Sequence, residues 1–314
     1  MGGENSKRSG EIGEILSKKL LQLMGWSLSI QNISIKCNNS KHLNEENKPR
    51  KSHGEDRIFI YNSPFHDDLT HVVHVSVKNE KGGPSSEVTL KKKFKKHLKE
   101  LQETIDCSKN SPELSKILNA FRSRKRNITH SGLLMWFHND QEYLEYDIKP
   151  ILANAIMDKK ITHPMYLIDN SRAAFILKAI DDINKKEKNS NIEFYYPPIG
   201  TAIKPDESPT GHFLPLEVIA SDIISYISRD NSTSSLVFYA NQKFSETAYT
   251  RLISYALDFS RGLVTDLKIG MPDYSLADHE TEQATARMYF SERKEQITPF
   301  SYKRSILNFL EEEV

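Results

Sequence analysis

Apolar residues first recur at helical spacing. In GEIGEILSKKLLQLMGW the positions Ile12, Ile15, Leu16, Leu20, Leu23 and Met24 fall on one face. Gly25 stands where such a helix stops. The period then drops to two, with Ile33, Ile35 and Cys37 alternating as in a strand. The polar run NNSKHLNEENKPRKS reads as a loop. RIFIY and THVVHVSVK read as two short strands, joined by NSPFHDDL, a segment of hairpin length that carries Pro64. Helical spacing returns in EVTLKKKFKKHLKELQETI through Leu90, Phe94, Leu98, Leu101 and Ile105. LSKILNAFRSRK continues as a second helix, and GLLMWFH reads as a buried strand. The predicted order is helix, three strands, helix, helix, strand, ending near residue 140.

Beyond that point the pattern changes. PMYLID reads as a strand, SRAAFILKAIDDINKK as a helix and IEFYYPP as a strand. After the loop PIGTAIKPDESPTG come HFLPLEVIASDIISYIS and the strand SLVFYA. SETAYTRLISYALDFSRG reads as a helix with Tyr249, Leu252, Ile253 and Ala256 on one face. Alternating strands and helices predict a second α/β unit. The expected division is a first domain over 1–154 and a second over 155–314.

The bulk numbers exclude more than they assign. The chain has 314 residues, of which 38% are hydrophobic and 27% charged, as in soluble globular proteins. A formal net charge of +1 predicts no polyanion partner by itself, so any nucleic-acid surface must be a local patch. No apolar run has membrane-spanning length, and the start MGGENSKRSGEIGE lacks a signal-peptide core, so a cytoplasmic protein with no membrane contact is expected. Cys37 and Cys107 lie far apart, form no CxxC, and belong to no His/Cys cluster at zinc spacing. A reduced protein without a structural zinc site is the expectation. The sequence also lacks GxGxxG, GxxxxGK[ST] and GxSxG, so nucleotide loops and a hydrolase elbow are not supported.

The chemistry concentrates in HGEDRIFIYNSPFHDDLTHVVHVSVKNEKGG. Asp56 opens one strand, and Ser76 and Lys78 lie two apart on the next, so they share a face. If the strands pair as a hairpin, all three converge at one edge of the sheet. Cleaving a phosphodiester takes a metal-activated water and charge neutralisation at phosphorus. Mg²⁺ prefers oxygen ligands and keeps several waters, so one or two carboxylates suffice. A lysine beside the attacking water stabilises the developing charge. Each residue also has a plainer reading. Asp56 suits a turn at the strand entry, and Lys78 suits an edge guard. Asp67 and Asp68 read as solvated turn residues, His74 as sheet packing, His53 as a loop anchor or phosphate contact, and Glu80 as a weak substitute ligand.

An Asp followed about twenty residues later by a residue-x-Lys pair resembles the PD-(D/E)xK phosphodiesterase superfamily, which includes restriction endonuclease-like and Holliday-junction resolvase-like enzymes. The element order matches that family's αβββαβ core. The resemblance implies an α/β fold: a restriction endonuclease-like core plus the second α/β domain. It implies that Asp56 is the central metal ligand and Lys78 the catalytic lysine. It also implies that Glu14, about eleven residues before Gly25 and Trp26, is a further acid of the metal site, although most helical glutamates are simply solvated. Ser76 stands where the motif has its second carboxylate, a departure that either leaves Glu14 to supply the charge or leaves metal binding weak or lost.

A narrower likeness runs through GEIGE…LMGW, HGEDRIFIYNSP, HVSVKN, FKKHLKELQETIDC and LVFYANQKFSETAYTRLISYALDF. These segments are similar to the nuclease subunit of GAPS-type two-gene anti-phage defence systems. That likeness implies DNA as target, Mg²⁺ (or Mn²⁺) as cofactor, a second defence protein from the adjacent gene as partner, and a possible homo-oligomer within the hetero-complex. The basic runs Lys91, Lys92, Lys93, Lys95 and Lys96, and Arg122, Arg124, Lys125 and Arg126, read either as solvated faces or as phosphate contacts. A degenerate nuclease fold that binds DNA or a partner is the competing reading, as is action on RNA.

Overall fold

The computed structural model describes residues 14–44, 46–121, 127–157, 160–187, 192–202, 209–229 and 234–302. They form two compact units: Met1–Ser63 with Asp67–Ala174, and Pro64–His66 with Phe175–Val314.

In the first unit, helix α1 (described over 14–23) ends as its glycine predicts. Gly25 has φ +82°, its N–H reaches Gln22 O at 3.0 Å, and the Trp26 N–H reaches Leu21 O at 2.8 Å. This pair of bonds satisfies carbonyls of the last turn and needs a left-handed residue between them. The turn delivers Trp26, which is fully buried, onto the ring of Phe59 with centroids 4.4 Å apart. Strands β1 (Ile30–Lys36), β2 (Ser52–Asn62) and β3 (Leu69–Lys81) then run as an antiparallel meander. Helices α2 (Glu87–Ser108) and α3 (Pro112–Phe121) lead to β4 (Asn127–Asn139), which lies parallel to β3. The predicted order helix, three strands, two helices, strand is therefore the observed one.

The first sheet carries one strand more than expected. Its order is β1-β2-β3-β4-β5, where β5 (Met165–Ile168) pairs parallel with β4 from Gly132↔Met165 to Met135↔Ile168. The division expected at 154/155 thus falls inside the first unit, which extends to Ala174. The reason is the open edge of β4: its unpaired backbone groups are satisfied by the short apolar run MYLI. Nothing in a four-residue strand reveals which sheet it joins.

The core between α2 and the sheet contains Leu98, Leu101 and Ile105 against Leu134 and Trp136, with Ile148 and Leu152 closing it. Helix α4 (Lys149–Leu152) supplies the last of these. Helix α5 (Asn170–Lys186) begins in this unit.

The second unit is an α/β layer, as expected. Its sheet holds β6 (Phe194–Tyr195), β7 (Thr210–Gly211), β8 (Ile223–Arg229), β9 (Ser234–Ala240), β10 (Asp266–Met271) and β11 (Gln296–Ser301) in the order β11-β10-β9-β8-β6-β7. Strands β9, β10 and β11 are parallel, with α7 (Glu246–Ser260) and α8 (Leu276–Met288) as their crossovers. Tyr249, Leu252, Ile253 and Ala256 of α7 are buried, as their spacing predicts. Glu217 and Asp222 do not share a helix: α6 (Leu216–Ala220) ends before Ser221, which is extended. Among the described residues no helix is long and apolar enough to cross a membrane.

Gly132 of β4 lies under Leu101 of helix α2. A Cβ there would meet Met165 and lie 2.7 Å from a Leu101 methyl. Overpacking of this kind costs roughly 1–3 kcal/mol, so Gly132→Ala is expected to lower the thermal midpoint of the chain. An unchanged midpoint in differential scanning calorimetry would show that the helix can lift away freely.

Candidate functional site

Strands β2 and β3 part where the motif residues lie. Their paired register runs from Asn62↔Thr70 to Arg57↔Val75. One step further, the Asp56 carboxylate takes over: its Oδ2 accepts the Val77 N–H at 2.7 Å. The alternation of β2 slips at the same place. Glu55 bonds Ser108 of α2, and Ile58 packs on Leu114 of α3, so two residues three apart face the same helical layer. Facing this slip on β1 is Asn32, at φ +52° between the pairs Gln31↔Arg57 and Ile33↔Glu55. Such irregularities re-aim a side chain, and here the re-aimed side chain is Asp56.

Burial pushes the Asp56 carboxyl above its usual range. The Val77 N–H and the Lys78 ammonium oppose that shift. Asp56 and Lys78 therefore lie within electrostatic reach of one another. Ser76 and Lys78 lie opposite Leu134 and Trp136 of β4, on the face covered by α2. Lys78 Nζ sits 3.5 Å from Glu100 Oε2 on that helix. His97, one turn before Glu100, packs edge-on against Trp136 at 5.3 Å. Burial brings its imidazole down to about 4, and the Lys78 charge adds to this, so His97 is neutral at physiological pH.

The site thus contains a carboxylate that the sequence reading missed. The available signal was its spacing: Lys93, Lys96, His97 and Glu100 share one helical face, and that face meets the alternate residues Lys78 and Glu80 of β3. Glu80 is committed elsewhere. It accepts the Trp136 indole N–H at 2.9 Å and pairs with Lys93, which removes it as a substitute ligand.

Glu14 is exposed on α1. Its charge is felt at Arg57, where burial lowers the guanidinium pKa and Glu14 and Asp56 raise it. Glu14, Asp56 and Glu100 do not gather as three ligands around one point; among the described residues that happens at Cys37, His42, His53 and Cys107. The expectation of no His/Cys cluster is overturned by this fold, which brings together residues that no local spacing connects. His53 is fully buried, so it is no phosphate contact. His74 packs in the sheet as expected, and also joins a buried chain: Glu55 bonds its Nδ1, and its Nε2 lies 3.0 Å from His130 Nδ1.

The lysine run of α2 is more balanced than its sequence suggests. Lys91 pairs with Glu87 at 2.5 Å, Lys93 with Glu80, and Lys96 with Glu100 at 4.0 Å. Lys92 is exposed and Lys95 half-buried. Arg122, Arg124, Lys125 and Arg126 lie outside the described residues.

Comparison with known protein families matches residues 1–172 to the GAPS4 protein PD-(D/E)XK nuclease domain. The chain belongs to this family. No curated protein and no solved structure matches it. The match covers the whole five-stranded sheet and its helices. On the motif expected from the sequence, Glu55 precedes Asp56 where the name of the motif has proline, and Ser76 stands at the place of the second acid.

PD-(D/E)XK nucleases use divalent metals, and the residues present fit one. Asp56 engages the backbone through one oxygen and keeps the other; Glu14 acts on its neighbour Arg57, and Glu100 pairs with Lys78. One or two carboxylates with water are a sufficient donor set for a hard cation.

A raised carboxyl pKa destabilises the fold once the group ionises. Its stabilising contribution is complete below the ordinary carboxylate range and is lost as pH rises through the elevated value. Asp56→Asn keeps an oxygen for Val77 and never ionises. In metal-free buffer it is expected to raise the unfolding temperature at neutral pH, with the gain vanishing towards pH about 4. A lowered temperature at neutral pH would mean that Lys78 and Val77 outweigh burial.

Proposed function

We propose that this chain is a divalent-metal-dependent DNA endonuclease that acts in bacterial anti-phage defence with the product of an adjacent gene. The observation that carries this reading is the convergence of Asp56 and Lys78 where β2 and β3 part, with Glu100 of α2 on the lysine.

Asp56 is the central ligand for Mg²⁺ (or Mn²⁺). Glu14 or Glu100 provides the second carboxylate that Ser76 does not. When bound, the cation lowers the pKa of a water and neutralises charge on the scissile phosphate. Lys78 holds its ammonium beside the attacking position and stabilises charge there as it develops. Neutral His97 packs against Trp136 and keeps a competing positive charge away from the lysine. Ser76 orients water through its hydroxyl. Lys92 and Lys95 contact phosphates without reading sequence, and Lys91, Lys93 and Lys96 join them on leaving Glu87, Glu80 and Glu100. The second unit serves partner assembly or target sensing in the cytoplasm, including any homo-oligomer within the complex.

The test compares cleavage of duplex DNA and of matched RNA, with Mg²⁺ or Mn²⁺, with and without the partner protein. Asp56→Ala and Lys78→Ala are expected to reduce cleavage by about 10²-fold or more. Glu100→Gln is expected to raise the metal concentration needed, with little change at saturation. Equal cleavage by wild type and Lys78→Ala would place the active site elsewhere. The serine favours a second reading, a degenerate subunit that only binds. No cleavage by the wild type, together with a gain in Ser76→Asp, would establish it.

A further inference from the structure

We propose that Cys37, His42, His53 and Cys107 bind a structural zinc ion that is separate from the nuclease site. The four side chains come from four different places in the fold. Cys37 follows β1, His42 lies in the β1–β2 loop, His53 is on β2, and Cys107 is in the last turn of α2. Their ligand atoms all lie within 4.8 Å of one another.

Four of the six ligand–ligand distances match the edges of a zinc tetrahedron, and the other two are within 4.8 Å. Zinc binds sulfur at about 2.3 Å and nitrogen at about 2.0–2.1 Å, so a tetrahedral Cys₂His₂ site has edges of about 3.8 Å between sulfurs, about 3.3 Å between nitrogens and about 3.5 Å between unlike ligands. Here Sγ of Cys37 and Cys107 are 3.8 Å apart, and His42 Nδ1 and His53 Nε2 are 3.3 Å apart. His42 Nδ1 is 3.6 Å from Cys37 Sγ and 3.4 Å from Cys107 Sγ. Thiols are weak hydrogen-bond donors, and their own attraction does not explain why two of them and two imidazoles crowd around one point.

A disulfide is a poorer account of the cluster. A sulfur–sulfur bond measures about 2.05 Å, well short of the observed separation, and it gives the two histidines no role. The site is also closed. Cys107 and His53 are fully buried and His42 nearly so, leaving no open position for substrate, which is the pattern of a structural rather than a catalytic ion. Two thiolates with two imidazoles in a tetrahedron select zinc over magnesium or calcium.

The ion would give the β1–β2 loop what its composition denies it. Residues 38–51 are almost wholly polar, and the main regular pairing there is the bridge Leu43↔Pro49. The zinc ties this loop, the start of β2 and the end of α2 to one point, three residues before Asp56.

Metal analysis of the full chain tests this without using nuclease activity. The chain is purified on a tag without histidines, passed through gel filtration in magnesium buffer, and assayed for zinc, cobalt and iron. About one zinc per chain is expected, with both cysteines unreactive towards a thiol reagent until a chelator releases the ion. Cobalt-loaded chain should show sulfur-to-cobalt charge-transfer absorption. Cys37→Ser, at the least buried ligand, should lose most of its zinc and unfold at a lower temperature. If Cys37→Ser is insoluble, the chelator release on wild type still decides. A folded wild type with only trace transition metal and reactive thiols overturns the proposal, as does a Cys37–Cys107 disulfide in freshly purified chain.

Discussion

The hydrogen bond from the Val77 N–H to the Asp56 carboxylate governs this structure's chemistry. A regular antiparallel ladder would pair Asp56 with Ser76 and send side chains to alternate faces. Instead the carboxylate occupies the partner of a backbone donor, and the side-chain alternation of β2 breaks there while its register with β1 is kept. That single exchange lets Glu55 and Ile58 both face the helical layer while Asp56 stays beside Lys78. A buried carboxylate is unfavourable until it is paired or hydrogen-bonded. The strand supplies that partner through its own backbone, and leaves the second oxygen for chemistry.

Helix α2 completes the arrangement from above. Its apolar stripe of Leu98, Leu101 and Ile105 fixes it on β4, and Gly132 sets how closely it sits. The face beside that stripe carries His97 and Glu100 to Lys78. Packing thus determines the electrostatics: the residues that bury the helix also determine which carboxylate meets Lys78. The same helix keeps Lys91, Lys93 and Lys96 paired with acids. A basic run in the sequence is here a set of ion pairs, each of modest strength at the surface, that a phosphate backbone can replace.

What the sequence revealed follows a physical divide. Local periodicity was enough for α1 with its Gly25 stop, for the β1–β3 meander and for the buried face of α7, because each of these is decided by neighbours three, four or two residues away. The pair Ser76 and Lys78 was legible for the same reason. Strand β5 was assigned to the wrong unit because pairing with β4 is a long-range event that MYLI does not encode. Glu100 was overlooked because its importance lies in reaching Lys78 from another element. The Cys/His cluster is the extreme case. Cys37 and Cys107 are brought together only once β1 and the end of α2 are both in place, so no spacing rule finds them.

The two kinds of ligand on β2 also argue that its metals do not compete. His53 belongs to a nitrogen–sulfur set, and Asp56, three residues along, to an oxygen set. At about 3.3 Å per residue the two positions are roughly 10 Å apart along the strand. Soft and borderline ions favour thiolate and imidazole, whereas magnesium favours carboxylate and water. The buried cluster has no exchangeable position, while one Asp56 oxygen stays clear of the Val77 bond. If both proposed ions bind, the one in the buried cluster would hold β2, and with it Asp56, in place before the other arrived with substrate. On this view the polar β1–β2 loop is a structural part of the nuclease domain, because it supplies His42 to the anchor that positions the catalytic strand.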